Sequence, residues 1–487
     1  MRMPKRVDTG PAWPEWVWLP LLGAAVLLWR ILAIEHAGIS LYVDEAQYWG
    51  WSKALDWGYF SKPPGIAALI AASTALFGDG VIGSKLLAMA CYPLSAWLAG
   101  SIARRLYGPT VAGWSAVVVL SLPIYAWLGL FATTDALLVL AWTAAIRLYL
   151  LALDSRHSGP WLAFGAVCGL GLLSKYTMLV CLLSALLHLL LGERQRLRRP
   201  GPWLAALLAA SFAQPNLLWN IDQNFPTFRH TAEITLQRQA GGLLSLLAFV
   251  GAQWAAFGPL FGSALIPAMK RDADDAARFG QRLLLCFALP LWSIASLQAA
   301  AGSANANWAA PAFVPATILV VAWLVRREHR RWLIAGLAFN LALTATLYHW
   351  PAWAPRLLPK TPSPYARALG WTELAAPLRA ELETHPHTPL IAEDRTLLAH
   401  LQYELRDRAL EIASWNPEGK RNDHYKLSTD FGRRLGSDAF YLADAELPAG
   451  IARRFADRRR LESIDVAADG RTLRRYTLYL LQDFQGY

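Results

Sequence analysis

The sequence predicts an all-α polytopic membrane domain followed by a small α/β domain outside the bilayer. Three observations predict it. Apolar runs of about 20 residues recur from the N-terminus to about residue 348, each long enough to cross about 30 Å of hydrocarbon. Only 17% of the 487 residues are charged, against about 25% in soluble domains. From Pro351 the composition changes: Pro351, Pro355, Pro359, Pro362 and Pro364 read as a linker over 351–364, and the chain beyond is polar and charged.

In chain order the apolar runs predict eleven spans, at about 15–35, 80–101, 111–130, 135–153, 160–174, 176–191, 202–218, 243–267, 283–301, 308–325 and 332–349. The first begins soon after Arg2, Lys5 and Arg6, and no small-residue cleavage site follows it, so it reads as a retained span. Residues 160–191 are divided at Lys175, and 65–77 reads as an interfacial helix too short to cross. Charge decides both choices. With this assignment the loops on the N-terminal side carry eighteen lysines and arginines, including Arg104, Arg105, Arg198, Arg271, Arg282 and Arg326. The opposite loops carry five: Lys53, Lys62, Lys175, Arg229 and Arg238. Basic loops stay in the cytoplasm, so the N-terminus is expected inside and the C-terminal domain outside. The same clustering accounts for the net charge of +11 without nucleic acid. All four cysteines lie in apolar runs, so neither a disulfide framework nor a cysteine-based zinc site is expected.

The expected domains are therefore a membrane domain over 1–350, with outer loops at 38–64 and 219–242, the linker, and an α/β domain over 365–487. In that last domain Leu390–Ala392, Ala409–Trp415, Ala439–Leu442 and Tyr476–Leu481 read as strands, and 396–407 as a helix.

The first outer loop is the most informative part of the chain. Asp44 followed by Gln47 has the spacing of a helix cap and its capping-box partner. A short helix over 45–55 then carries Trp49 and Trp51, and Tyr59 and Phe60 precede Ser61-Lys62-Pro63-Pro64. The topology puts Asp44, Glu45, Lys62, Asp135, Lys175, Arg229 and His230 on the outer side. Charges near membrane depth are costly and tend to mark a cavity or a pair. Each has a plainer reading as well. Asp44 and Asp135 suit helix N-caps, Glu45 suits a helix dipole, Lys62 and Lys175 suit the interface, and Arg229 and His230 suit a solvated loop. No P-loop, dinucleotide fingerprint or HExxH motif is present. A transferase working outside would need a lipid-carried donor instead of a nucleotide sugar.

Four stretches carry a family resemblance. They are Asp44-Glu45-Ala46-Gln47-Tyr48-Trp49 with Leu55 to Pro64, Thr133-Thr134-Asp135-Ala136-Leu137-Leu138, Gly171 to Thr177, and Asn305-Ala306-Asn307-Trp308-Ala309-Ala310-Pro311, with Pro215 to Asn220 adding to them. The chain resembles the GT-C membrane glycosyltransferases, in the group of the dolichyl-phosphate-mannose protein mannosyltransferases and the lipid A 4-amino-4-deoxy-L-arabinose transferase. The resemblance implies an inner-membrane enzyme that moves one sugar from a polyprenyl-phosphate donor to a lipid A, lipopolysaccharide or other envelope glycan on the outer face, or to a protein. It implies catalytic roles for Asp44, Glu45 and Asp135, donor-phosphate contacts from Lys62, Lys175 and Arg229, and substrate contacts from Tyr59 and His230. Asp44 is also the candidate metal contact, and the sequence leaves dependence on a divalent cation open. Ser61 departs from the lipid A enzymes, which often have glutamate there, and this weakens any transfer of acceptor specificity. The alternative class is a lipid-linked sugar flippase. It would place polar groups at mid-membrane and often shows internal repeats; here the ionisable groups gather on one face and no repeat is visible.

Overall fold

The computed structural model describes residues 15–236, 241–272, 274–408, 410–444, 446–469 and 473–487. Arg2, Lys5, Arg6, Arg238 and Ala409 lie outside the described residues. In chain order the helices are α1 (Glu15–His36), α2 (Val43–Ser52), α3 (Gly65–Phe77), α4 (Val81–Tyr107), α5 (Pro109–Ser121), α6 (Pro123–Leu128), α7 (Thr134–Asp154), α8 (Gly159–Ser174), α9 (Leu179–Gly192), α10 (Pro200–Asp222), α11 (Pro226–Leu236), α12 (Leu243–Phe257) and α13 (Pro259–Met269). They continue with α14 (Asp275–Ala301), α15 (Phe313–Arg326), α16 (Arg330–Tyr348), α17 (Trp350–Leu357), α18 (Trp371–Thr384), α19 (Arg395–Glu404), α20 (His424–Ser428) and α21 (Ala449–Ala452). Two compact units result. One holds the described residues of Met1–Leu32 with Lys62–Gly78 and Ile82–Tyr348; the other holds Ala33–Ser61, Asp79–Val81 and His349–Tyr487.

The first unit is helical. By length and apolarity five stretches among the described residues can cross a membrane: Trp18–His36, α4, α7, Ala277–Ala301 and Ala306–Arg326. The number rises to seven if α12 with α13, and α16 with α17, each count as one broken span. The helices α3, α5 and α8 and the stretch Tyr176–Gly192 are apolar but shorter. The stretch expected as one span at 243–267 is bent in its course. α12 and α13 meet at a bend of 104°, because Gly258 takes φ +88° and Pro259 starts a new helix. A side chain at Gly258 would also strike Asn340.

Among the described residues of this unit two cations are fully buried. Arg30 donates to the carbonyls of Met89 and Tyr125 and to the Tyr348 hydroxyl. Lys85 donates to the carbonyl of Leu130 at 3.1 Å. Tyr125 lies in the last turn of α6 and Leu130 just beyond it, at the end of the helix where carbonyls are partially negative.

The second unit is built on a five-stranded mixed sheet, order β2-β1-β3-β5-β4, with β1 Leu390–Ala392, β2 Ile412–Ser414, β3 Ala439–Ala443, β4 Phe455–Ala467 and β5 Leu473–Phe484. β1 pairs in parallel with β2 and β3, whereas β5 runs antiparallel to β3 and β4. α19 supplies the crossover that parallel strands require. Central β1 and β3 are buried along their whole length, which is why they read as unbroken apolar runs. β4 was not expected. It is an edge strand with Arg458, Arg459 and Arg460 exposed and a bulge between Arg460 and Glu462; such charge blunts an edge and hides the strand from apolar patterning. Part of the expected linker is helical, since α17 starts at Trp350 with Pro351 in its first turn, where proline is tolerated.

Candidate active site

In the first unit the candidates meet where α3, α7 and α8 end or begin. α7 starts at Thr134, so Asp135 lies in its first turn and is not the cap. Its side chain is only 3% exposed. One carboxylate oxygen takes the Lys175 ammonium at 2.7 Å and the other takes the Asn307 amide at 2.7 Å. Lys175 directly follows α8, and Ser174 donates to the Thr134 carbonyl at 2.9 Å, which ties the two helix ends together. Asn307 lies in the 3-10 turn Ala306–Ala312. The sequence singled out its motif but did not assign the residue a place in the site.

Lys62 is partly buried, just ahead of the buried Pro63-Pro64 that leads into α3. A side chain on Gly65 would lie 2.7 Å from the Leu173 carbonyl oxygen and 3.0 Å from Ser174 Cα. Only glycine allows that approach, and it brings the start of α3 against the residues preceding Lys175. Tyr176 donates to Asn216 at 2.6 Å and stacks on Phe228 at 5.1 Å. Phe228 lies on α11, so Arg229 and His230 are on a helix beside Tyr176, and the expected outer loop at 219–242 contains that helix. Arg229 is exposed and His230 is half-buried.

The second unit holds Asp44, Glu45 and Tyr59. α2 begins at Val43 and is capped at Tyr42, so the expected Asp44–Gln47 capping pair is corrected. Buried Glu45 does that work: its carboxylate accepts from the Tyr42 N–H at 2.8 Å. Asp44 is thereby freed from capping. It points at Arg395, the first residue of α19, at 3.0 Å, and the same guanidinium donates to Gln47 at 2.9 Å. Asp44 is 47% exposed and Arg395 39%. Sequence reasoning missed Arg395. Asp394 caps α19 by accepting from Thr396, a signal that predicts the helix but not its reach to a residue 351 positions earlier.

Tyr59 is buried. Its ring stacks on Trp51 at 4.4 Å, and its hydroxyl bonds to backbone at Trp51, Ala54 and Asp56. His424 packs edge-on to Trp51 at 5.3 Å, and burial pushes its imidazole down to about 4. On the other side of α2, the Trp49 indole donates to Asp79 at 2.7 Å and Lys53 pairs with the same carboxylate at 2.8 Å.

The donor sets do not fit a divalent cation. Both Asp135 oxygens already face donors, Asp44 faces a guanidinium, and among the described residues no three His, Cys, Asp or Glu side chains are grouped to hold a metal.

The geometry has counterparts. Residues 61–219 match the family of dolichyl-phosphate-mannose-protein mannosyltransferases. The chain is 32% identical over 422 residues to the lipid A galacturonosyltransferase RgtD of Rhizobium johnstonii, covering 86% of this chain and 89% of that protein. The chain belongs to the GT-C membrane glycosyltransferases. This transferase is also 30% identical over 143 residues, 28% of its length and 25% of its relative's, to an undecaprenyl phosphate-alpha-4-amino-4-deoxy-L-arabinose arabinosyl transferase of Pseudomonas fluorescens. Its fold is that of ArnT from Cupriavidus metallidurans. The apo ArnT structure superposes with a TM-score of 0.67 at 17% identity, covering 95% of this transferase and 97% of ArnT. The undecaprenyl phosphate complex superposes with a TM-score of 0.65 at 18% identity, covering 95% and 98%.

Proposed function

We propose that this transferase moves a single sugar, a hexuronic acid, from a polyprenyl phosphate to lipid A on the outer face of a bacterial inner membrane. The observation that carries the reading is the relationship to the lipid A galacturonosyltransferase along most of both chains. The arabinosyl transferases support a lipid-phosphate donor, since their name specifies undecaprenyl phosphate. Eleven crossings, an inside N-terminus and an outside C-terminal domain are part of the proposal. The excess of arginine and lysine in the N-terminal-side loops supports them. The proposed domains remain 1–350 for the membrane part, a joining segment at 351–364, and 365–487 outside.

Departure of the lipid phosphate builds negative charge on its oxygens, and fixed cations stabilise it. Lys62 and Lys175 are the proposed cations, with Arg229 on α11 a third. Asp135 holds the Lys175 ammonium in one place, and Asn307 holds Asp135. Asp44 is the proposed general base when the acceptor is a hydroxyl; a phosphate acceptor needs no base, and Asp44 then binds the sugar. Glu45 supports Asp44 by holding the start of α2, and His230 and Tyr59 are the candidates for substrate contact. Mass spectrometry of lipid A from cells with and without the gene tests the reading. A hexuronic acid increment present only with the gene is expected. Unchanged lipid A with an altered protein or other envelope glycan would overturn the acceptor.

A further inference from the structure

At the ends of α9 and α14 remote from Lys175 and Asn307 lies a groove of about 620 Å³. Its size falls in the range of about 300–1,000 Å³ typical of ligand sites. Leu187, Leu191 and Leu289 form apolar wall, and Arg271, Arg278 and Arg282 line it too; among the described residues that line it there is no carboxylate. Arg278 and Arg282 fall in the first turns of a helix long and apolar enough to span a membrane, so they lie where a lipid phosphate lies.

The basic end is built. Gln281 donates to the carbonyls of Ala268 and Lys270 and accepts from the Asp272 N–H, which pins the turn that carries Arg271. Asp272, next to Arg271 in sequence, turns its carboxylate to Arg326. Arg282 lies so close to Gly192 that an added methyl would collide with its guanidinium carbon. Its buried Nε has no hydrogen-bond partner among the described residues. We propose that this groove binds one anionic phospholipid, with the phosphate among the three guanidiniums and an acyl chain along the leucines. Charge complementarity selects that occupant: three cations above an apolar wall suit an anion that carries hydrocarbon, and basic pockets between membrane helices hold lipid head groups in this way. The site is independent of the sugar-transfer reading.

Native mass spectrometry of the full-length protein with phosphatidylglycerol or phosphatidylcholine tests it. One phosphatidylglycerol should be retained in preference to phosphatidylcholine. Arg271→Gln with Arg282→Gln should weaken that binding by about tenfold or more, the loss of charged hydrogen bonds, and Gly192→Ala should weaken it by displacing Arg282. Arg271→Lys with Arg282→Lys keeps the charges and should retain most of the binding, which guards against a Gln variant that fails to fold. Lys62→Ala should leave it unchanged. Equal retention of the two lipids, no loss in any groove variant, or a dimer that the Gln variant dissolves would each overturn the proposal.

Discussion

Asp44 and Asp135 make the same local choice and arrive at opposite environments. Each is the second residue of its helix, each faces a cation, and each came from the sequence as a cap candidate. Asp135 is sealed, with both oxygens engaged and its side chain 3% exposed. Asp44 is 47% exposed and shares one guanidinium with Gln47. A sealed ion pair is costly to break, because a lone buried charge remains, whereas an exposed pair is worth little. So Asp135 suits a fixed support and Asp44 a group that must meet changing partners.

The largest expected effect is on turnover. Asp44→Asn should slow transfer by about 10²–10⁴, the span of a lost general base. Its unfolding midpoint should stay at the wild-type value, since the pair with Arg395 contributes about 1 kcal/mol at most. Turnover near wild type would remove Asp44 from the chemistry. Asp135→Asn should lower activity and, unlike Asp44→Asn, also cost about 3–5 kcal/mol of stability by stranding Lys175. Pairing it with Lys175→Gln should recover part of that stability and none of the activity. Thermal unfolding in detergent reads both, and a stable single variant would erase the contrast.

Lys62→Ala removes one charged contact, about 1.5–3 kcal/mol, so catalytic efficiency should fall at least about tenfold with weaker donor binding. Donor titration decides: unchanged affinity and turnover would leave Lys62 only an interfacial anchor. Glu45→Ala removes the acceptor for the Tyr42 N–H and should cost about 1 kcal/mol, like other lost caps. An unchanged unfolding midpoint would remove its capping role.

The smallest effect is a pH slope in the second unit. Burial holds His424 down at about 4, against 6.5 when free, and lowers His400 as well. The neutral rings therefore contribute stability that is complete above pH 6.5 and is lost as pH falls toward 4. His424→Gln should flatten, without abolishing, the fall in unfolding temperature over that interval; an unaltered slope would falsify the assignment.

The sequence by itself determined the helical membrane part, most of the strands and the residues worth testing. Apolar runs leave a helix few alternatives where backbone groups cannot bond to water, and Leu390–Ala392 and Ala439–Ala443 announce themselves because both faces are buried. Charged Phe455–Ala467 did not, since an edge strand's composition is set by solvent. Trp371–Thr384 was missed too, its helix carrying Pro377 inside. Tertiary structure alone decided which acid is sealed and which is open. Nothing near Asp135 in sequence names Lys175 or Asn307, and nothing near Asp44 names Arg395. Those partners are brought together by helix ends and a glycine contact many residues away, and burial, which sets the strength of each pair, is a property of that packing and not of the local chain.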